Sequence, residues 1–330
     1  MEIILFRYCS FILSEIKNKI YISIYKIYSI NKIIKVISLI FIVFNIIFSL
    51  INKINKKFIC LCVIGKGEDL YAKEYINHYK NLGYNHIFIY DNNDIIGERF
   101  SDILQSEIKN GFVSIIDFIG YKGNTDSTQV EAYYDCYKRN HKYYNWLSFY
   151  DFDEYLELKP KNITIQEFLN NIRYKNCQNI KINWLVYNSY NETLYYENKP
   201  LQIRFDKPFY NLASNKHIKS TVRGGINKNY WSKWTNPHSS LIKFRSCSSS
   251  GELVNSQTPY IDPPDYKYAF IKHYYQKSFE EFCIKIKRGW PDLTDKNYIK
   301  DILIKENWNN TEKIKIIKNV FNSSSFNIKT

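Results

Sequence analysis

Three short apolar runs separated by stretches of helical period set the fold class open to this chain. Phe58 to Ile64, FICLCVI, is a continuous apolar strand ended by Gly65-Lys66-Gly67. Ala72, Tyr75, Ile76 and Tyr79 then recur at i, i+3, i+4 and i+7, and Gly83 closes that helix. His86 to Tyr90, HIFIY, is a second strand ended by Asp91-Asn92-Asn93-Asp94. Phe100, Ile103, Leu104 and Ile108 share one face of a second helix, and Gly111 leads into a third strand, Phe112 to Phe118. Strand, helix, strand in repetition means parallel pairing, because a parallel neighbour can be reached only through a crossover of a dozen or more residues. The expectation is an α/β fold, Rossmann-like, with a mostly parallel sheet and flanking helices.

A loop over 120–128 and a polar helix from about Gln129 lead to a fourth strand, built on Trp146, Leu147, Phe149 and Tyr150. At its carboxyl end the stretch FYDFDEYLEL places Asp151, Asp153 and Glu154 among aromatic and aliphatic residues. Charges in such a run are paired or bind a ligand. Open parallel sheets bind ligands beyond the carboxyl ends of their strands, and Asp91 and Asp94 fall on that same edge. In extended chain Phe152 points to the core while Asp151 and Asp153 go to the other side, about 6–7 Å apart. Two such carboxylates repel unless a cation lies between them, and they suit Mn²⁺ or Mg²⁺, which completes its shell with phosphate oxygens and water. The alternative is that one of them caps the next helix. Beyond Lys159 the alternation loosens into a Tyr- and Trp-rich region punctuated by Gly224-Gly225 and Pro263-Pro264, which reads as an acceptor-shaping half of the same domain.

The net charge of +14 would suggest a phosphate-bearing partner. Abundant Lys, Asn, Ile and Tyr beside sparse Gly and Pro are, however, what an AT-rich coding sequence produces. The seven cysteines, at 9, 60, 62, 136, 177, 247 and 283, show no CxxC pair and no zinc spacing, so no disulfide framework is expected. No GxxxxGK[ST] phosphate loop is present, which excludes that class of phosphotransferase. From Val36 to Ile51 the chain is uncharged, flanked by Lys32 and Lys35 and by Lys53, Lys56 and Lys57. With snorkelling lysines the span reaches about 33–54, a single-pass signal anchor whose orientation the flanking charges do not fix. The domain reading is an N-terminal segment over 1–57, a catalytic domain over 58–295 and a helical tail over 296–330.

The Asp-x-Asp at a strand end, preceded by Trp146 and followed by Glu154-Tyr155-Leu156, resembles the DxDE[FY] signature of GT-A glycosyltransferases, specifically family 92 and the family 2-like proteins beside it. Lys66-Gly67-Glu68, Glu74-Tyr75-Ile76, His78-Tyr79 and Leu82-Gly83 are similar to the opening K-N-E…E-W-[IL]-x-[HY]-[HY]…G block, with Gly67 in place of Asn. Tyr90-Asp91-Asn92 matches its Y-D-N. Lys272-His273-Tyr274-Tyr275-Gln276-Lys277-Ser278, then Glu281-Phe282, Lys285 and Arg288-Gly289, resemble its closing H-Y-x-x-K-S…E-F…K…R-G block.

The resemblance covers roughly 58–295 and implies a metal-dependent, inverting transfer of sugar from a nucleotide-sugar, a UDP-sugar foremost, to a glycan, glycolipid or protein. By the same resemblance Asp91 contacts base or ribose, Asp151 ribose or a metal-bound water, and Asp153 the Mn²⁺ or Mg²⁺ directly. His273 is a further metal ligand, with His238 of Asn236-Pro237-His238-Ser239-Ser240 as its rival. Glu68, Lys277 and Arg288 join the nucleotide-sugar contacts. No catalytic base is assigned; Glu192 and Asp265 lie in plausible loops. Trp184 to Tyr196, Trp231 and Trp234 are candidates to stack on sugar faces. The anchored site would face the Golgi or ER lumen in a eukaryote and the cytoplasm in a bacterium. Two other readings are a membrane-tethered nucleotide-sugar-binding scaffold and a basic, aromatic nucleic-acid-binding protein. The Asp-x-Asp favours the enzyme, with no nucleic acid among its partners.

Overall fold

The computed structural model describes residues 37–45, 56–93, 99–119, 127–187, 194–195, 199–230, 236–239, 244–287, 315–316 and 319–320. The chain divides into two compact units, Met1–Lys56 and Lys57–Thr330. In the first, residues 37–45 are helical with Ile37, Leu39, Ile40, Phe41, Ile42 and Phe44 exposed. Asn45 donates its side-chain amide to the Phe41 carbonyl at 2.8 Å. Among the described residues no helix is long and apolar enough to cross a membrane. The remainder of the expected anchor, 33–36 and 46–54, lies outside the described residues.

In the second unit the expected alternation is present as β1 (Lys57–Gly65), α1 (Asp69–Asn81), β2 (His86–Asp91), α2 (Phe100–Ile103), α3 (Gln105–Lys109), β3 (Val113–Asp117), α4 (Thr128–Asn140) and β4 (Tyr144–Phe149). These four strands are parallel in the order β4-β1-β2-β3. Their register brings Gly65, Asp91 and Asp117 side by side, so the carboxyl ends form one edge. β1 is buried on both faces. Ile59, Leu61 and Val63 pack with Tyr75, Ile76 and Tyr79 of α1, while Cys60 and Cys62 pack with Tyr133 and Tyr137 of α4. The second helix of the sequence reading is two short ones. The backbone breaks at Leu104 (φ −105°, ψ 26°), which lets Phe100 and Leu104 stay buried and leaves Ile108 36% exposed instead of on their face.

The sheet is mixed, and the expectation of a mostly parallel one is corrected. After β5 (Glu154–Leu158) and α5 (Ile165–Leu169) come β6 (Asn179–Tyr187), α6 (Leu201–Arg204), β7 (Pro208–Phe209), β8 (Ile218–Arg223), β9 (Ser246–Cys247), β10 (Leu253–Val254), β11 (Ala269–His273) and α7 (Phe279–Lys287). β8 runs antiparallel to both β4 and β6, and β11 joins β6 in parallel and β5 antiparallel. Antiparallel neighbours need no crossover helix, so the helical period disappears from the sequence past Lys159.

A second correction concerns cysteine. Cys62 of β1 is bonded to Cys136 of α4, and Cys177 to Cys247 of β9, with Cα separations of 6.3 and 5.8 Å; Cys60 and Cys283 are free and buried. The partners are 74 and 70 residues apart; Cys62 meets Cys136 because α4 lies on the sheet, and Cys177 meets Cys247 because β6, which follows Cys177, pairs with β9, so no local spacing reveals either bond. A peptide map of the unreduced protein should recover both linked pairs; unmodified thiols at all four positions would contradict them.

Candidate active site

β4 ends at Phe149, and the chain turns through Asp151, Phe152 and Asp153 before β5. Phe152 anchors that turn. Its ring stacks on Phe100 (centroids 4.9 Å, planes 6° apart) and meets Tyr75 at 4.8 Å. The ring lies so close to the β1 backbone that a Cβ on Gly65 would fall 2.6 Å from Phe152 and 2.6 Å from Phe100, so only glycine fits. With Phe152 fixed inward, the two aspartates project away from this packing, as alternation demands. They do not share one pocket wall. Asp151 faces α4 and β8, while Asp153 faces β11 and α7.

Asp151 Oδ1 accepts from Gln129 Nε2 and from the Tyr133 hydroxyl, each at 2.5 Å, and lies 2.8 Å from Lys219 Nζ. Lys219 of β8 is fully buried and also stands 3.5 Å from Glu154 Oε1. Glu154 Oε2 accepts the Asp151 backbone N–H at 2.9 Å, which locks the turn. Burial, with the Asp151 charge added, pushes the Glu154 carboxyl well above its ordinary pKa, against the pull of Lys219. Burial also works against the Lys219 ammonium, but Asp151 and Glu154 outweigh it and raise its pKa. Helix capping is not what these aspartates do: α5 is capped by its own Thr164, whose hydroxyl accepts from Glu167 N–H at 3.2 Å.

Asp153 is buried and holds its neighbours from both sides of the turn. Its Oδ2 accepts from Lys285 Nζ at 2.7 Å, its backbone carbonyl accepts from Tyr274 N–H at 2.8 Å, and its Oδ1 lies 3.7 Å from His273 Nε2. Burial alone would raise this carboxyl, but Lys285, His273 and Lys277 outweigh it and hold it well below the usual carboxylate range. His273 packs on Trp184 (centroids 4.0 Å), and burial lowers its pKa to about 3, so it is neutral. A neutral imidazole is a metal ligand, whereas a protonated one is not. Its Nδ1 is buried with no hydrogen-bond partner among the described residues, and its Nε2 is beyond hydrogen-bond reach of Asp153. Asp153, Glu154 and His273 form a group whose candidate ligand atoms all lie within 4.8 Å of one another. One carboxylate, one imidazole and a second carboxylate behind them suit Mn²⁺ or Mg²⁺.

Among the described residues that grouping contains His273 and neither His238 nor Asp151. His238 touches the opposite part of the Trp184 cluster, edge-on at 5.0 Å, with its pKa lowered by burial to about 2. Trp184 itself is surrounded by His273, His217 and His238 and is buried, so it backs the histidine instead of presenting a face to a sugar.

On the β2 side, Asp91 is fully buried at the strand edge. Its Oδ1 accepts from Asn93 N–H at 3.0 Å and its Oδ2 from Arg99 Nε at 2.8 Å. Glu68 and Lys277 meet each other: Lys277 Nζ donates to Glu68 Oε2 at 3.0 Å and lies 3.8 Å over the Tyr71 ring, both residues being buried. Beside them the Tyr71 hydroxyl and Arg204 converge on Glu281 of α7, at 2.5 Å and at 3.0 and 2.5 Å. Gly67, which stands where the resembling motif has Asn, adopts φ +61°, a left-handed conformation that Asn also enters. Asp265 accepts from Ser250 N–H at 2.7 Å and Ser250 Oγ at 2.9 Å, tying two loops together. Asp94, Arg288, Glu192, Trp231 and Trp234 lie outside the described residues.

Lys219 and Arg99 escaped the sequence reading, and Lys285 was seen only as part of a motif. The one local signal for Lys219 is a lysine inside the strand run HIKSTV.

Among curated proteins none matches this sequence. Solved structures of TarS from S. aureus are similar at low level: residues 1–349 of that protein at 12% identity, covering 81% of this chain and 71% of that one, with a TM-score of 0.36. The same fragment in complex with UDP gives 10% identity, 80% and 71% coverage and a TM-score of 0.35, and in complex with UDP-GlcNAc 11%, 81%, 72% and 0.35. Likeness at these values carries no weight for substrate. The family model described as "Glycosyltransferase family 92" matches residues 56–246, from the start of β1 through the Asp-x-Asp turn to β9, more than half of the chain, and the protein therefore belongs to glycosyltransferase family 92.

Proposed function

We propose that this glycosyltransferase uses a GT-A arrangement to move a sugar from a nucleotide-sugar, a UDP-sugar foremost, to a glycan, glycolipid or protein acceptor, with inversion. The observation that carries the reading is the buried Asp153 and His273 pair at the carboxyl edge of the sheet, with His273 Nε2 3.7 Å from Asp153 Oδ1 and the candidate ligand atoms of Asp153, Glu154 and His273 all within 4.8 Å of one another. Asp153 and His273 would hold Mn²⁺ or Mg²⁺, with Glu154 behind them, and such an ion neutralises charge that develops on a leaving diphosphate. Asp151, fixed by Tyr133, Gln129 and Lys219 yet with 29% of its side chain exposed, would accept from a ribose hydroxyl. Asp91, with Arg99 on its carboxylate, marks the base and ribose end of the same edge. Lys285 and Lys277 supply positive charge beside Asp153. The exposed apolar face at 37–45 supports single-pass membrane attachment, and the two disulfides favour the oxidising, luminal side over the cytoplasm.

The test is nucleotide release by the full chain from a panel of UDP- and GDP-sugars, with Mn²⁺ and with EDTA. Turnover confined to the metal-loaded protein is expected. Turnover indifferent to EDTA, or none from a folded protein across the panel, would contradict the reading.

A further inference from the structure

The cation position at Asp153 is already held by a side chain. Lys285 reaches from α7 to place Nζ 2.7 Å from Asp153 Oδ2, and its second contact is the Tyr275 carbonyl at 3.0 Å. Asp151 is held in the same way by Lys219 on the far side of the turn. The two holders differ in freedom. Lys219 is fully buried in a strand between two carboxylates, whereas 16% of the Lys285 side chain is exposed, and it sits at the end of a flexible four-carbon stem on the rim. A divalent ion on Asp153 and an ammonium on the same carboxylate repel at contact distance.

We propose that Lys285 is the resident counter-cation of Asp153 and competes with the metal for it, so that the bare protein takes a divalent ion weakly. The nucleotide diphosphate relieves the competition by offering Lys285 another anion, and metal and nucleotide therefore bind with strong mutual dependence. This inference rests on the donor-site reading above, and it assigns Lys285 a positioning role.

Mn²⁺ binding to the full chain, followed by electron paramagnetic resonance of the free ion with and without UDP, tests it in wild type, Lys285→Met, Lys285→Gln and Lys285→Arg. The wild type should bind Mn²⁺ at least about tenfold more weakly without UDP than with it. Lys285→Met and Lys285→Gln should tighten Mn²⁺ binding about tenfold in the absence of UDP and lose most of the UDP dependence, while Lys285→Arg keeps the wild-type pattern. Binding in the neutral variants equal to or weaker than wild type would overturn the role of Lys285. If wild type and variants alike bind neither Mn²⁺ nor UDP, the donor-site reading falls and takes this inference with it.

Discussion

Asp153→Asn lowers sugar transfer by on the order of 10³-fold and leaves the fold intact, with a lower thermal melt because the Lys285 ammonium loses its counter-charge. The two halves of that expectation have separate causes. Asparagine keeps the shape of the buried side chain, and the Tyr274 N–H to Asp153 carbonyl bond is made by the backbone, so the turn survives. The carboxylate charge that Lys285, His273 and Lys277 hold below the usual carboxylate range is gone, and with it the anionic ligand of the group formed with Glu154 and His273. A loss of less than about threefold at saturating Mn²⁺ would show that transfer does not depend on this carboxylate.

Lys219→Met acts on stability first. Removing one partner of a buried ion pair costs about 3–5 kcal/mol, because the other charge is left without compensation. Here the low end, about 3 kcal/mol, is expected. Asp151 keeps its Gln129 and Tyr133 donors and some solvent contact, and Glu154, its carboxyl raised by burial, has the option of remaining neutral. Urea unfolding gives the number. A single variant within about 1 kcal/mol of wild type would mean that Lys219 is not what holds the turn.

The parts of the fold visible in sequence are those whose signal is local. β1, α1, β2, β3 and β4 each carry their own period or apolar run, and the carboxyl edge follows from parallel pairing alone. The break at Leu104 carries no proline or glycine and is set by how Phe100 and Leu104 pack. The antiparallel half has no crossover period to read, and the disulfides join β1 to α4 across layers and Cys177 to β9 across a strand pairing that the sequence does not announce. At the site, the family's motif residues pointed to Asp153 and His273, but their partners come from elsewhere in the chain. Lys219 lies on β8 and Arg99 precedes α2. Repulsion between Asp151 and Asp153 appeared to require a metal, yet lysines answer it at both residues. The case for a metal rests instead on a neutral, buried His273 whose Nε2 lies 3.7 Å from the Asp153 carboxylate, in a group with Glu154.

Crystals of the protein grown with Mn²⁺ and UDP and measured on both sides of the manganese absorption edge test that case most directly. The account predicts an anomalous peak in contact with the Asp153 carboxylate and the His273 imidazole, with the UDP diphosphate beside it. UDP bound at the strand edge with no peak there, or with the peak on other residues, would contradict it.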